Sequence, residues 1–114
     1  MADRNLETGR WGEDLAARWY TDRGYTVVAR NWRCPTGEID LVARRGRVVV
    51  VIEVKARRTE AYGPAAAAVG RLKQQRLRRL AAEWLATSGI HGVEVRFDVV
   101  AVTGSEIDVI RAAF

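Results

Sequence analysis

The sequence predicts an α/β domain in which helices flank a mixed β-sheet. Two segments carry apolar residues at helical spacing and three are rich in β-branched and aromatic residues; in chain order they are 8–23 (helix), 25–33 and 38–58 (strands), 64–88 (helix) and 93–104 (strand). Because helical and strand segments alternate, the strands are expected to share one sheet with helices on its faces. A chain of 114 residues with 48% hydrophobic content is long enough for a single domain over 1–114.

The first helix is expected from about Thr8 to Arg23. Gly24 follows it, and glycine readily adopts the left-handed conformation that ends helices. The apolar stripe of this helix comprises Trp11, Leu15, Ala16, the stem of Arg18 and Trp19. A strand is expected next, at 25–33, and "CPTG" supplies the turn after it.

A hairpin is expected over 38–58, with its turn at the charged residues around Gly46 and the apolar run Val48–Ile52 as its buried strand. Pro64 suits the first turn of the second helix, which is expected to stop at Gly89. The stripe of that helix comprises Val69, Leu72, Arg76, Leu80 and Trp84. The remaining residues predict one further strand and a short last one.

Positive charge is concentrated in one part of the chain. The net charge is +5, but residues 44–79 hold eleven Arg and Lys residues against two acidic ones, so this segment carries +9 and the rest of the chain −4. A local positive field attracts polyanions, nucleic acid first, although an anionic membrane surface satisfies the same physics. Alternatively, these positive charges form a solvated helix face that has no function.

Cysteine content and hydropathy indicate a compartment. Cys34 is the only cysteine, so no internal disulfide forms, and the first twenty residues lack the apolar stretch of a signal peptide. Apolar runs fall far short of the roughly 18 residues that cross a bilayer. A cytoplasmic location without a membrane partner is therefore expected.

Two charged residues stand where the buried strand of the hairpin ends. Glu53 and Lys55 follow the run Val48–Ile52 and share one face of the strand, because successive side chains alternate between faces. The chain uses 17 arginines and only two lysines, which favours a role for Lys55 that needs a compact ammonium group. The alternatives are solvated strand ends or a functional site.

The turn of the hairpin decides which acidic residues join them. If Arg45 and Gly46 form a two-residue turn, Glu38 lies opposite Glu53, and Asp40 is a diagonal neighbour of Glu53 on the same face. A shift by one residue would turn Asp40 to the other face. The predicted site therefore depends on this register.

Three carboxylates on one patch of a sheet repel one another unless a cation or protons neutralise them. Mg²⁺, or Mn²⁺ in its place, suits such a patch because it takes one or two carboxylates together with water and substrate phosphate. A lysine beside the ion contacts a phosphate or helps to activate a water. This chemistry is that of phosphodiester cleavage; the alternative is an ion-pair ladder without function.

These residues carry a resemblance to a known superfamily. Asp40, followed thirteen residues later by "EVK" within helix, three strands, helix and strand, resembles the PD-(D/E)xK nucleases, which include restriction enzymes and Holliday-junction resolvases. The stretches "GRWGEDLAARWYTDRGYTVVARNWRCPTGEIDLVA", "VVVVIEVKARR" and "VRFDVVAV" resemble more closely the small YraN-like endonuclease-like proteins of bacteria, over nearly the whole chain. The resemblance implies a restriction-endonuclease-like αβββαβ core.

The resemblance also implies roles for particular residues. It makes Asp40 and Glu53 the metal ligands and Lys55 the catalytic lysine, and Glu13 matches the helix-one glutamate that joins the site in resolvase-like members. Ile39 stands where the superfamily has a proline, and Glu38 adds a further acidic residue to the catalytic set. The alternative for Glu13 is an acidic residue on the helix surface, beside an arginine.

The expected substrate is nucleic acid, DNA in preference to RNA, with branched or damaged DNA as one candidate structure; the sequence leaves both the choice between DNA and RNA and the preferred structure open. Residues that flank the site in sequence are the candidate nucleic-acid contacts: Arg57, Arg58, Arg71, Lys73, Gln74, Arg76, Arg78 and Arg79. The sequence has no groove-reading helix signature and no zinc spacing, so backbone or shape recognition is expected. A homodimer and a protein partner in DNA processing fit this reading. A catalytically inactive nucleic-acid-binding module on the same fold is the second hypothesis.

Overall fold

The computed structural model describes residues 3–57 and 69–114, with side chains described for 9–56 and 69–114. These parts form two helices and five strands: α1 (Asp3–Asp22), β1 (Thr26–Cys34), β2 (Gly37–Arg45), β3 (Val48–Arg57), α2 (Arg71–Ser88), β4 (Glu94–Thr103) and β5 (Glu106–Ile110). The predicted α/β class and the αβββαβ order are confirmed, and β5 is the short last strand that the sequence predicted. Neither described helix is long and apolar enough to cross a membrane.

The strands form one mixed sheet in the order β1-β2-β3-β4-β5. Strands β3 and β4 pair in parallel, and the other neighbours pair antiparallel. The apolar run of β3 therefore lies at the centre of the sheet, where both faces are covered and a continuous apolar run is favourable. The predicted buried strand is confirmed, since Val49 to Ile52 are at most 2% exposed.

The two helices cover opposite faces of the sheet. Helix α1 contributes Ala16 and Tyr20 to a core cluster that contains Val50 and Ile52 of β3. Helix α2 packs on the other face, with the cluster members Leu77, Leu80, Ala81, Trp84, Val49, Val51 and Phe97. Of the stripe predicted for α1, Ala16 is buried, whereas Trp11 is 40% exposed and Arg18 is exposed.

The predicted turn of the β2–β3 hairpin is wrong by two residues in register. Arg45 pairs with Val48, so the turn comprises Gly46 and Arg47. Gly46 has φ +60°, and the type II′ hairpin turn requires such an angle at its first central position, where only glycine adopts it without strain. The backbone pairing ends at Leu41 and Ile52, one residue before Asp40 and Glu53, so the register of the hairpin does not by itself set the face of Asp40.

Helix α2 begins after Val69, the first residue of the stripe predicted for it. Gly70, with φ −77° and ψ 176°, is the N-cap, so Val69 precedes the helix, and Pro64 lies outside the described residues. Leu72 is 78% exposed, and Arg76 is exposed. Each step of four residues rotates the side chain by about 40°, so a stripe extended from Trp84 back to Leu72 leaves the core face. Gly89, at φ +74°, ends the helix as predicted.

A buried acidic residue ties α1 to the sheet. Asp98 is 1% exposed, and its carboxylate accepts hydrogen bonds from Tyr20 Oη (2.6 Å), Arg96 Nε (2.9 Å) and the Ala112 amide (3.0 Å). Burial, followed by the hydrogen bond to Asp98, raises the pKa of Tyr20, so the phenol stays protonated and donates. The buried charge is therefore compensated on several sides.

Candidate metal and phosphate site

Asp40 lies where strands β2 and β3 separate. The backbone pairing of the two strands ends at Leu41 and Ile52, and beyond that pair the Val54 amide donates a hydrogen bond of 2.8 Å to Asp40 Oδ2. The alternation of faces changes at the same point, because Ile39 packs in the cluster under α2 and Leu41 in the cluster under α1. The Asp40 carboxylate thus replaces a backbone acceptor and is held between the strands.

Glu53 is a buried carboxylate that two lysines neutralise. Its side chain is 8% exposed. Lys73 Nζ, from the first turn of α2, lies 2.5 Å from Glu53 Oε1, and Lys55 Nζ lies 3.5 Å from the same oxygen. A buried charge of this kind is tolerated only when it is paired, and the two ammonium groups supply that pairing.

Asp40, Glu53 and Lys55 line one open cleft of about 410 Å³ between the end of β3 and helix α1. The described residues that line it are Gly9, Glu13, Asp40, Glu53, Val54, Lys55 and Ala56. The structure thus brings together four of the five predicted catalytic residues, Glu13 among them.

Gly12 allows α1 to approach this cleft closely. A Cβ atom at residue 12 would lie 2.6 Å from Ala56 Cβ and 3.5 Å from Val54 Cγ1. The first distance is shorter than any normal carbon contact, so only glycine fits without a shift of the helix or the strand. The close contact places Glu13, the next residue, at the cleft. Sequence reasoning missed Gly12, because an isolated glycine within a helical pattern does not show what it packs against.

The cleft has an excess of negative charge at Asp40. Burial, and then the charge of Glu53, raise the pKa of Asp40 to about 7, while the hydrogen bond from Val54 lowers it and the charges of Glu13 and Glu38 raise it further. A carboxyl group in such surroundings is stabilised by a proton or by a cation. The electrostatics of the cleft therefore favour a bound positive charge beside Asp40.

The surroundings shift the pKa of Lys55 and the pKa of Lys73 in opposite directions. Burial, and then the neighbouring Lys73, lower the pKa of Lys55 against the opposing effect of Glu53. Burial also lowers the pKa of Lys73, but its hydrogen bond to Glu53 and the charge of that carboxylate outweigh burial and raise it. Lys73 is consequently the principal counter-ion of Glu53, and Lys55 is the ammonium group that loses its proton more easily.

The donor set fits an ion that needs few protein ligands. Among the side chains that the structure describes, no three His, Cys, Asp or Glu residues form a ready-made metal cage. Mg²⁺ is nevertheless bound in many sites by one or two carboxylates, with waters and substrate phosphate completing an octahedron. Among the residues that the structure describes, no hydrogen bond or ion pair involves Asp40 Oδ1 or Glu53 Oε2, so within this part of the chain each carboxylate offers one oxygen to such an ion.

Glu38 lies at the margin of this arrangement. Its Oε2 atom is 3.4 Å from Arg33 Nε, in an ion pair that is exposed on the arginine side. Glu38 does not line the cleft, and its charge has the smallest of the named effects on the pKa of Asp40. The structure therefore separates this predicted catalytic residue from the other four.

The predicted nucleic-acid contacts of α2 have different environments. Arg71, Arg76 and Arg79 are exposed. Arg78 lies over the rings of Phe97 and Phe114, at 5.1 and 5.5 Å from their centroids, and is thereby engaged in cation–π contacts.

Of the other predicted contacts, only the side chains of Lys73 and Gln74 are described. The Gln74 amide donates a hydrogen bond of 3.1 Å to the Val69 carbonyl just before α2, which occupies the side chain structurally. Arg57 ends β3, but its side chain lies outside the described part of the chain, as does the whole of Arg58.

Lys73 was predicted as a nucleic-acid contact, but the structure places it against Glu53. The sequence carried a signal for this role, because Lys73 is the other of the two lysines among 19 basic residues. The preference for a compact ammonium that singled out Lys55 applied equally to Lys73. Its distance from Glu53 along the chain concealed the contact.

Comparison with known proteins identifies relatives that match most of the chain. The model of the "Uncharacterised protein family UPF0102" matches residues 12–102, a range that contains Glu13, Asp40, Glu53, Lys55 and Lys73. A UPF0102 protein of Beutenbergia cavernae is 57% identical over 94 residues, which are 82% of this chain and 80% of that protein. A UPF0102 protein of Desulfosudis oleivorans is 41% identical over 116 residues, covering 100% of this chain and 94% of that protein. The family predicted from the sequence is confirmed: the chain belongs to UPF0102, the YraN-like family.

Proposed function

We propose that this protein is a magnesium- or manganese-dependent endonuclease that acts on DNA, with branched or damaged structures as its substrates. The observation that carries the proposal is the convergence of Asp40, Glu53 and Lys55 on one open cleft at the end of the central strand. The resemblance to PD-(D/E)xK nucleases points to the same three residues.

In this proposal Asp40 and Glu53 hold the divalent ion through Asp40 Oδ1 and Glu53 Oε2, which lie outside the contacts given for the described residues. When bound, the ion polarises a phosphoryl oxygen and lowers the pKa of a water molecule. Asp40 is kept in place by the Val54 amide, which fixes one ligand before the ion arrives.

Lys55 is proposed to act on the phosphate or on the attacking water. Its ammonium group lies 3.5 Å from Glu53 Oε1 and lines the cleft, so a phosphate that reaches the ion also reaches Lys55. The lowered pKa of Lys55 means that this group gives up its proton more readily than a free lysine. Glu13, on the opposite wall, adds a carboxylate that orients a water molecule.

The exposed arginines of α2 are proposed to contact the DNA backbone. Arg71, Arg76 and Arg79 are exposed along this helix. Contacts of this kind are independent of sequence and weaken steeply with salt.

The test is cleavage of single-stranded, duplex and four-way-junction DNA by the pure protein with Mg²⁺, with Mn²⁺ and with chelator. Glu53→Ala is expected to reduce metal-dependent cleavage by at least about a hundredfold, since a metal ligand supports several kcal/mol of transition-state stabilisation. DNA binding is expected to remain nearly intact. Glu106→Ala, an exposed glutamate on β5 outside the cleft, is the matched control and is expected to cleave like the wild type. Unchanged cleavage by Glu53→Ala would refute the proposal.

One observation favours a second candidate, a nucleic-acid-binding module without activity. Glu53 is already paired with two ammonium groups, so this carboxylate is compensated without a metal ion. This candidate predicts salt-dependent DNA binding and no cleavage in either metal. Metal-dependent cleavage that Glu53→Ala abolishes would exclude it.

A further inference from the structure

Helix α2 brings a second lysine to the candidate metal site. Lys73 Nζ lies 2.5 Å from Glu53 Oε1, closer than Lys55 Nζ, which lies 3.5 Å from the same atom. The Lys73 side chain is 38% exposed and the Glu53 side chain 8% exposed, so the ammonium group closes the buried carboxylate on its solvent side. The cation that compensates Glu53 thus reaches it from a partly solvated side chain.

We propose that Lys73 is the exchangeable counter-ion of Glu53, which pairs with this carboxylate in the absence of a divalent ion and transfers to a DNA phosphate when the ion binds. This inference rests on the proposed function, because it takes Asp40 and Glu53 as the metal ligands. It assigns to Lys73 a positioning role at Glu53 and a contact with the substrate.

The physical argument begins with repulsion between cations. An ammonium group 2.5 Å from one oxygen of Glu53 and a divalent ion on the other oxygen are like charges a few ångströms apart in a poorly solvated place. The ion therefore binds more weakly while Lys73 remains. A lysine head on a flexible four-carbon stem has rotatable donors and moves away at small cost when another anion is near.

DNA supplies that other anion. A backbone phosphate at the cleft has oxygens for both the ion and an ammonium group, and Lys73 stands on the helix that carries the exposed arginines. If phosphate takes Lys73 from Glu53, DNA raises the affinity of the site for the ion. By linkage the ion then raises the affinity for DNA by the same factor.

The first test measures Mn²⁺ binding to the full chain without DNA, by electron paramagnetic resonance of free Mn²⁺. Lys73→Gln is expected to bind Mn²⁺ about fivefold more tightly than the wild type, the scale of one partly exposed ion pair. Lys73→Arg keeps the charge and is expected to stay close to the wild type. Arg47→Gln, which removes one exposed positive charge at the opposite end of β3, controls for net charge and is expected to change the affinity much less.

The second test repeats the titration with a cleavage-resistant phosphorothioate duplex. DNA is expected to tighten Mn²⁺ binding to the wild type by a larger factor than binding to Lys73→Gln, because the variant has no ion pair to release. Equal factors in the two proteins would overturn the transfer to phosphate. Unchanged or weaker Mn²⁺ binding by Lys73→Gln in the first test would overturn the exchange itself.

Asp40→Asn separates this inference from the function on which it rests. If Asp40→Asn loses Mn²⁺ but Lys73→Gln does not gain affinity, the metal site stands and the role of Lys73 is wrong. If the wild type and Asp40→Asn bind Mn²⁺ equally, the proposed metal site itself fails. Thermal unfolding of each variant establishes that a loss of binding is not a loss of the fold.

Discussion

Two glycines of α1 provide a direct test of how the helix is held against the sheet. Gly9 and Gly12 both lie within the helix, but a Cβ atom at residue 9 has no neighbour within 4 Å, whereas one at residue 12 lies 2.6 Å from Ala56 Cβ. Replacing either glycine by alanine improves the intrinsic helix propensity equally. The difference between the two variants therefore measures the contact of the helix with the end of β3.

The expected difference in stability between the two variants follows from helix propensity and from packing. Glycine to alanine in a helix stabilises by about 1 kcal/mol, which Gly9→Ala is expected to show. At Gly12 the added methyl group must move the helix or the Ala56 methyl group by nearly 1 Å, and overpacking of this kind costs about 1 to 3 kcal/mol. Gly12→Ala is accordingly expected to be less stable than Gly9→Ala by about 1 to 3 kcal/mol.

The assay is urea and thermal unfolding followed by circular dichroism, with the wild type and both variants in parallel. A difference of 1 kcal/mol corresponds to roughly 4 °C or more in Tm at this chain length. The double variant Gly12→Ala/Ala56→Gly removes the clashing methyl group and leaves 3.5 Å to Val54 Cγ1, so the double-mutant cycle is expected to show a favourable coupling of about 1 kcal/mol or more. Equal stabilities of Gly9→Ala and Gly12→Ala, or no coupling with Ala56→Gly, would refute the close packing at Gly12.

Two further predictions concern buried carboxylates. The pKa of Asp40, raised to about 7, makes the native state bind more protons than the unfolded state between about pH 4 and 7, so stability is lost as the pH rises through this window. Asp40→Asn still offers an oxygen to the Val54 amide but carries no charge. In chelator this variant is expected to be about 1 to 3 kcal/mol more stable than the wild type at pH 8 and equally stable near pH 4. Urea titrations that give the same difference in stability at both pH values would contradict this. At the other end of α1, Asp98→Ala leaves Arg96 and Tyr20 without their partner and is expected to lower the free energy of unfolding by about 3 to 5 kcal/mol. Tyr20→Phe removes only one of several donors to Asp98 and is expected to lower it by about 1 to 2 kcal/mol. Similar costs for these two variants in urea unfolding would show that the network does not depend on Asp98.

Local patterns predicted the elements of the fold well. Helices α1 and α2, the three-strand block and β4 all follow from spacing and residue type, because apolar periodicity is a property of neighbouring residues. The start of α2 was less accurate. Gly70 sets where the helix begins, and a stripe drawn through Leu72 ignores the rotation that accumulates over several turns.

The candidate site was predicted in its components and not in its contacts. Asp40, Glu53 and Lys55 were identified from strand parity and from the resemblance, but the predicted turn was wrong by two residues and the alternation of faces changes at Asp40. The pairing of Lys73 with Glu53 was not predicted. It joins a strand end to a helix across a segment whose path the local pattern does not specify.

The sequence alone determined the fold class, the order of the elements, the family and the candidate residues Asp40, Glu53 and Lys55, because each depends on residues close together in the chain or on a motif. The tertiary structure decided the rest: the approach of α1 at Gly12, the hydrogen bond from Val54 to Asp40 and the ion pair of Lys73 with Glu53. These contacts depend on how a helix lies against a sheet. That geometry is fixed by packing of the whole core, which no short stretch of sequence encodes.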